Sequence, residues 1–124
     1  MKHHTTGLES SAHTILANIS GTDGSPIVVG GISSLVLIVT ADDGLPTHTD
    51  TIAPVADVLS GSFKFADVGD NNNNFKYNFE HTITADAFPS AGHYDIDYRF
   101  TQTDGHEFVV SIEHEAGEVV SHAV

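Results

Sequence analysis

The sequence predicts an all-β protein, a sandwich or a barrel of short antiparallel strands. Turn signals recur at short intervals, at Asp23-Gly24, Gly30-Gly31, Asp43-Gly44, Ser60-Gly61, Gly69-Asp70, Asp104-Gly105 and Ala116-Gly117. Between them lie short runs rich in Val, Ile, Thr, Phe and Tyr, the residues that fit a pleated, half-buried surface. In the C-terminal half these runs alternate apolar and polar with the period of a strand.

The alternation is cleanest from Phe75 to Ile83, where Phe75, Tyr77, Phe79, His81 and Ile83 share one face and Lys76, Asn78, Glu80 and Thr82 the other. It resumes with Tyr94, Ile96, Tyr98 and Phe100 against Asp95, Asp97, Arg99 and Thr101, then with Phe108, Val110 and Ile112 against Val109, Ser111 and Glu113. The hairpin joining the last two runs has two candidate registers. A two-residue Asp104-Gly105 loop sets Phe100 beside Val109 and Tyr98 beside Ser111, mixing the faces. A three-residue loop, Thr103-Asp104-Gly105, sets Phe100 opposite Phe108, Tyr98 opposite Val110 and Ile96 opposite Ile112. A slip of one residue swaps every face, so the second register is expected. It needs a turn ending with Gly105 in the left-handed conformation, which is common chemistry for such hairpins.

In the first half, Leu35–Thr40 reads as a central strand and Ser62–Phe65 as a short one. Thr51–Leu59 reads as another, interrupted near Pro54, as suits an edge or bulge. Ser11–Ile19 fits a helical stripe (Ala12, Ile15, Leu16, Ile19) or a strand face (His13, Ile15, Ala17, Ile19); the all-β context favours the strand. Asn71–Asn74 reads as a loop tip. The expected organisation is a flexible N-terminal arm over residues 1–10 and one domain over residues 11–124.

Composition narrows the function. The 124 residues carry 17 acidic side chains against 4 basic ones, a net charge of −13 with His neutral. Protonating all nine His still leaves −4. Lys2, Lys64, Lys76 and Arg99 are the whole basic complement, too few and too scattered to neutralise a phosphate backbone, so nucleic acid is not an expected partner. With no Cys there is neither a disulfide nor a thiolate metal site. The longest apolar stretch, Leu35–Val39, is strand-sized, so no helical membrane span is expected. Met1–Ser10 is polar and lacks the apolar stretch of a secretory signal.

The segment Thr84–Ile96, with Asp86 opening a short crossing loop and Gly92-x-Tyr94 entering a strand, resembles the approach to the sixth strand of an immunoglobulin-like sandwich. That resemblance implies a disulfide-free, antiparallel β-sandwich in which the Tyr94 hydroxyl bonds to backbone a few residues upstream. Residues 75–115 carry it. Ile96 stands where antibody domains have a Cys and no Trp is present, so the chain is not antibody-type. It is similar instead to the immunoglobulin-like modules of tailed-virus capsids, baseplates and fibres and of prokaryotic surface proteins. Its acidity and scarce Lys resemble salt-adapted proteins and viruses. The resemblance implies a non-enzymatic virion protein docking on capsid or tail subunits, with homo-oligomers in the assembly. A surface-exposed adhesion or glycan-binding module, with an extracellular location, is the alternative.

No residue pattern demands chemistry. His-Glu-x-x-His and Gly-x-Ser-x-Gly are absent. An EF-hand counted from Asp70 would need Glu where His81 stands, and one counted from Asp67 meets Asn78. His106 and His114 lie at opposite ends of one strand, too far apart to share an ion, and His81 reads as a packed residue. In the expected register Asp95 lies opposite Glu113 and His93 opposite Glu115, with Asp97 further along the same outer face. Like charges across a strand pair repel. The plain reading is a solvated acidic face; the alternatives are screening by high salt, a basic surface on a partner subunit, or a bound cation such as calcium, for which Asp95, Asp97 and Glu113 are the candidates. Asp95 and Asp97 are about 7 Å apart by strand rise, a glycosidase-like separation without the groove such an enzyme needs. No catalytic residue and no cofactor are expected.

Overall fold

The computed structural model describes residues 3–20, 27, 29–60, 65–66 and 76–118. Its strands are β1 (His3–Leu8), β2 (His13–Ala17), β3 (Ile32–Ala41), β4 (Pro46–Thr51), β5 (Phe65–Ala66), β6 (Lys76–Tyr77), β7 (Phe79–Ile83), β8 (Gly92–Gln102) and β9 (Glu107–Gly117). One sheet has the order β1-β9-β8-β3-β4; β2 pairs with β7, and β5 with β6. All pairings are antiparallel except that of β1 with β9. The architecture is an all-β, disulfide-free sandwich compatible with the immunoglobulin-like class.

The hairpin adopts the three-residue register. Phe100 faces Phe108, Tyr98 faces Val110, Ile96 faces Ile112 and Asp95 faces Glu113. The Gln102 amide donates to the His106 carbonyl at 2.7 Å, and Gly105 lies at φ +89°. The Asp104 carboxylate accepts from the His106 amide at 3.0 Å and braces the turn. Tyr94, Ile96, Tyr98 and Phe100 are all buried, as are Leu35, Leu37 and Val39 of β3, which runs between β8 and β4. From the facing layer Phe79 packs edge-on against Tyr98 at 4.9 Å and Phe100 at 6.1 Å between ring centroids. Val58–Ser60 extends that layer: the Glu80 amide donates to Val58 and the Ser60 amide to Asn78, both at 2.8 Å.

The tyrosine corner is present. Tyr94 donates its hydroxyl proton to the Ser90 carbonyl at 2.6 Å, with Phe88 packed edge-on against its ring. Within residues 11–19, His13–Ala17 form a strand, β2, and Ile15 and Ile19 are buried.

Three expectations need correction. The N-terminal arm is, from His3 to Leu8, an edge strand in six-residue parallel register with Ile112–Gly117. Its polar sequence hides this, because its inner positions, Thr5 and Gly7, are small rather than apolar. Residues 51–59 are not one interrupted strand: Thr51 ends β4, and a 3-10 turn at Val55–Asp57 follows a cis Ala53-Pro54 bond. The strand the turn at Asp43-Gly44 delivers is β4 itself, Pro46–Thr51. Asn78 does not sit on an outer polar face but is fully buried. Of the expected strand at Ser62–Phe65, Phe65 lies in β5; Ser62–Lys64, the Asn71–Asn74 tip and the Asp67–Asp70 loop lie outside the described residues.

Asn78 is buried because it completes a ladder. Its Oδ1 accepts from the Ile19 amide at 2.7 Å and its Nδ2 donates to the Ile19 carbonyl at 2.6 Å, so the side-chain amide stands in for a peptide where β2 and β7 diverge. Asn78→Ala orphans a buried donor and a buried acceptor together. Equilibrium unfolding in urea is expected to show a loss of about 2–4 kcal/mol with the native hairpin retained.

Candidate functional site

The outer face of β8 and β9 carries the charges the sequence placed there. Asp95 is registered with Glu113, His93 with Glu115, and Asp97 with Ser111. Asp95, Glu113 and Glu115 are exposed, and Asp97 is half-buried. Asp97 accepts a hydrogen bond from the Ser111 hydroxyl at 2.7 Å, so the carboxylate nearest the middle of the sheet is anchored by a neutral donor. Beside it, Asp42, His93, Tyr94, Asp95, Glu113 and His114 line a cleft of about 210 Å³. Among the described residues no three His, Asp or Glu side chains gather as a metal site. Asp95, Asp97 and Glu113 lie along the sheet as an acidic strip.

Polar side chains also cross the interior. Tyr98 of β8 reaches His81 of β7, with the hydroxyl 2.9 Å from Nδ1. Burial pushes the phenol far up and lowers the half-buried imidazole, where Asp50 pulls the other way and His48 adds to the lowering. Both groups are thus held neutral and serve as a hydrogen-bonded brace between the layers. His81 is a packed residue, as its phase along the strand implies.

At the opposite end, His114 of β9 lies on the inner face, 1% exposed, with its ring centroid 4.5 Å from His13 and 4.5 Å from Phe88. Thr5 of β1 meets its Nδ1 at 2.7 Å. Burial first, then the neighbouring His13 and His4, push the His114 pKa down to about 4. Burial also lowers His13. The sequence reading weighed His114 only against His106 and missed this pair. The signal was available: His114 has the same strand parity as Phe108, Val110 and Ile112, which marks it as inward.

On the surface, His48 of β4 meets Asp86 at 3.2 Å, and Asp86 also accepts from the Thr84 hydroxyl. The Thr84 hydroxyl and, after it, the His48 side chain hold that exposed carboxyl below its usual range. This pair pins the crossing loop to the sheet edge. Two further clefts beside β2, of about 340 Å³ and 280 Å³, are lined mainly by strand residues such as Ala17, Ile112 and Val110, with His4, His13 and Tyr77 in the larger.

No family model matches the chain, and no curated protein matches it. Among solved structures it is similar to the crystal structure of CopC from Methylosinus trichosporium OB3b, at 10% sequence identity and a TM-score of 0.47, over 98% of this chain and 89% of that one. At that level the likeness carries no argument about what this chain does.

The acidic strip yields a salt dependence. With a net charge of −13 and Asp95 set directly across from Glu113, mutual repulsion disfavours the folded state at low ionic strength. The melting temperature is expected to rise from a low-salt buffer to molar NaCl by more than for an Asp95→Asn, Glu113→Gln double variant; differential scanning fluorimetry across the salt series checks it.

Proposed function

We propose that this chain is a non-enzymatic structural module of a virus particle, an immunoglobulin-like sandwich that docks on neighbouring capsid or tail subunits. The virion setting rests on the sequence resemblance. The docking mode rests on one observation, the contrast between the two edges of the main sheet.

An edge strand offers unpaired backbone groups, and proteins that must stay apart blunt such edges with Pro, charges or bulges. β4 carries all three, with Pro46, Asp50 and a register shift against Val39 and Thr40. β1, His-His-Thr-Thr-Gly-Leu, carries neither Pro nor a Lys, Arg, Asp or Glu, and Leu8 beside its end is 54% exposed. It is the edge open to an added strand from a partner subunit, with main-chain hydrogen bonds as the adhesive. An acidic body favours a partner whose facing surface is basic. The glycan-binding alternative draws less support, because Phe79, Phe88, Tyr94, Tyr98 and Phe100 are buried and so cannot form a sugar platform.

Sedimentation velocity on the purified chain, alone and mixed with capsid or tail subunits, tests the reading. A larger species is expected, and Thr6→Lys, which places a charge on the exposed face of β1, is expected to abolish it while leaving the fold intact. A monomer in every mixture, or unimpaired assembly of Thr6→Lys, overturns docking at this edge. A glycan-array signal from the isolated monomer would favour the adhesion alternative instead.

A further inference from the structure

β1 lies across an imidazole that the interior accommodates only without charge. The His114 ring is packed between His13 and Phe88, each tilted 40° to it, and β1 closes the cluster on its third side. A Cβ built on Gly7 would stand 3.1 Å from His114 Cε1, so the strand backbone rests directly on the ring. Thr5 satisfies Nδ1 in either tautomer, donating to it or accepting from it. The Nε2 atoms of His114 and of His13 are buried with no hydrogen-bond partner. A second proton on His114 would create a cation whose N–H has no acceptor, beside another imidazole.

The surroundings of the ring point the same way. Thr5 faces it from β1, with His4 of the same strand near enough to act on its charge, His13 faces it from β2, Phe88 from the turn before β8, and Tyr94, its cross-strand partner, lies beside it on β8. His114 also lines a cleft with Asp42, His93, Asp95 and Glu113, an imidazole and three carboxylates at the rim. Burial and the neighbouring His13 and His4 prevail over that rim.

The strand also lies at an edge of the main sheet. Among the described residues it pairs on one side only, its His4, Thr6 and Leu8 are exposed, and its exit corner holds Ser10 at φ +54°, a left-handed conformation that residues with a side chain adopt at a cost.

We propose that His3–Leu8 is an acid-released strap: protonation of the His114–His13 stack beneath it frees β1 from the edge of β9 while β3, β8 and the turn half of β9 stay folded. In the released state His114 regains water and an ordinary affinity for protons, which the closed state lacks. Opening is therefore constant above the ordinary His value of 6.5 and grows as pH falls from there toward about 4. If β1 is the docking edge, as proposed above, the same step makes assembly acid-labile. The release itself needs no partner and is measured on the chain alone, so a failure of docking leaves it standing.

Backbone amide hydrogen exchange by NMR, corrected for the intrinsic pH dependence of exchange, is the test. Between about pH 7.5 and about pH 5 the opening of amides in the β1–β9 ladder is expected to rise roughly 30-fold, while amides between β3 and β8 keep their protection. His114→Leu should flatten the β1 response, and His13→Leu, which keeps the main titrating ring, should reduce it. Three results overturn the proposal: β1 protection that ignores pH, β1 and β3 losing protection together, or an unchanged pH response in the variants. Should His114→Leu not fold, the wild-type comparison of β1 with β3 decides alone, as does the His114 ring titration, which must fall well below 6.5.

Discussion

Gly105 at φ +89° closes the turn that sets Phe100 opposite Phe108, and the rest of the molecule follows from that register. The two rings stack with centroids 4.8 Å apart and planes 5° from parallel. With this pairing, Tyr94, Ile96, Tyr98 and Phe100 of β8 share one inner face with Ile112, His114 and Ala116 of β9. A shift of one residue would carry Glu113 and Glu115 into the space now filled by Ile112, His114 and Ala116, which no amount of surface rearrangement could accommodate. The same register decides which charges meet outside, so the acidic strip of Asp95 and Glu113 is the external consequence of a well-filled interior.

What could be read from the sequence is what local pattern encodes. The C-terminal ribbon alternates strictly, and its turn chemistry selects one register; both are properties of neighbours in the chain. The tyrosine corner is similarly local, since Tyr94 returns to Ser90, four residues earlier. The features that escaped are long-range. β1 pairs in parallel with a strand more than a hundred residues later, and no apolar residue alternates in His3–Leu8, because its inner positions are Thr5, which bonds the His114 ring, and Gly7, which lies against it. Asn78 looked like an outward polar residue by parity. It is buried because β7 is irregular at Tyr77–Phe79, and its amide replaces a missing peptide pairing with Ile19.

The polar side chains inside the sandwich divide by how fully they are partnered. Asn78 has both ends of its amide satisfied, and His81 with Tyr98 forms a closed pair between the layers. Such groups fix which surfaces meet, because any other packing leaves them unpaired. The His13–His114 stack differs in kind. Each ring keeps one buried nitrogen without a partner, at the end of the sheet where the covering strand is held on one side only. A core built only for stability would place an apolar residue at 114, where Ile112 and Ala116 already flank it on the inner face.

That placement ties the interior to the surface. The open edge of β1 and the neutral-only imidazole beneath it belong to one strand, so the geometry of the edge depends on the protonation of the core. A blunted edge such as β4 needs no such dependence, because Pro46 and Asp50 discourage pairing at any pH. An unblunted one is a hazard unless something limits when its strand is in place. Thr5 and Gly7 supply the mechanical link: one bonds the ring and the other lies against it, leaving no room for β1 to stay seated while the ring beneath it takes up a proton and the water that must follow.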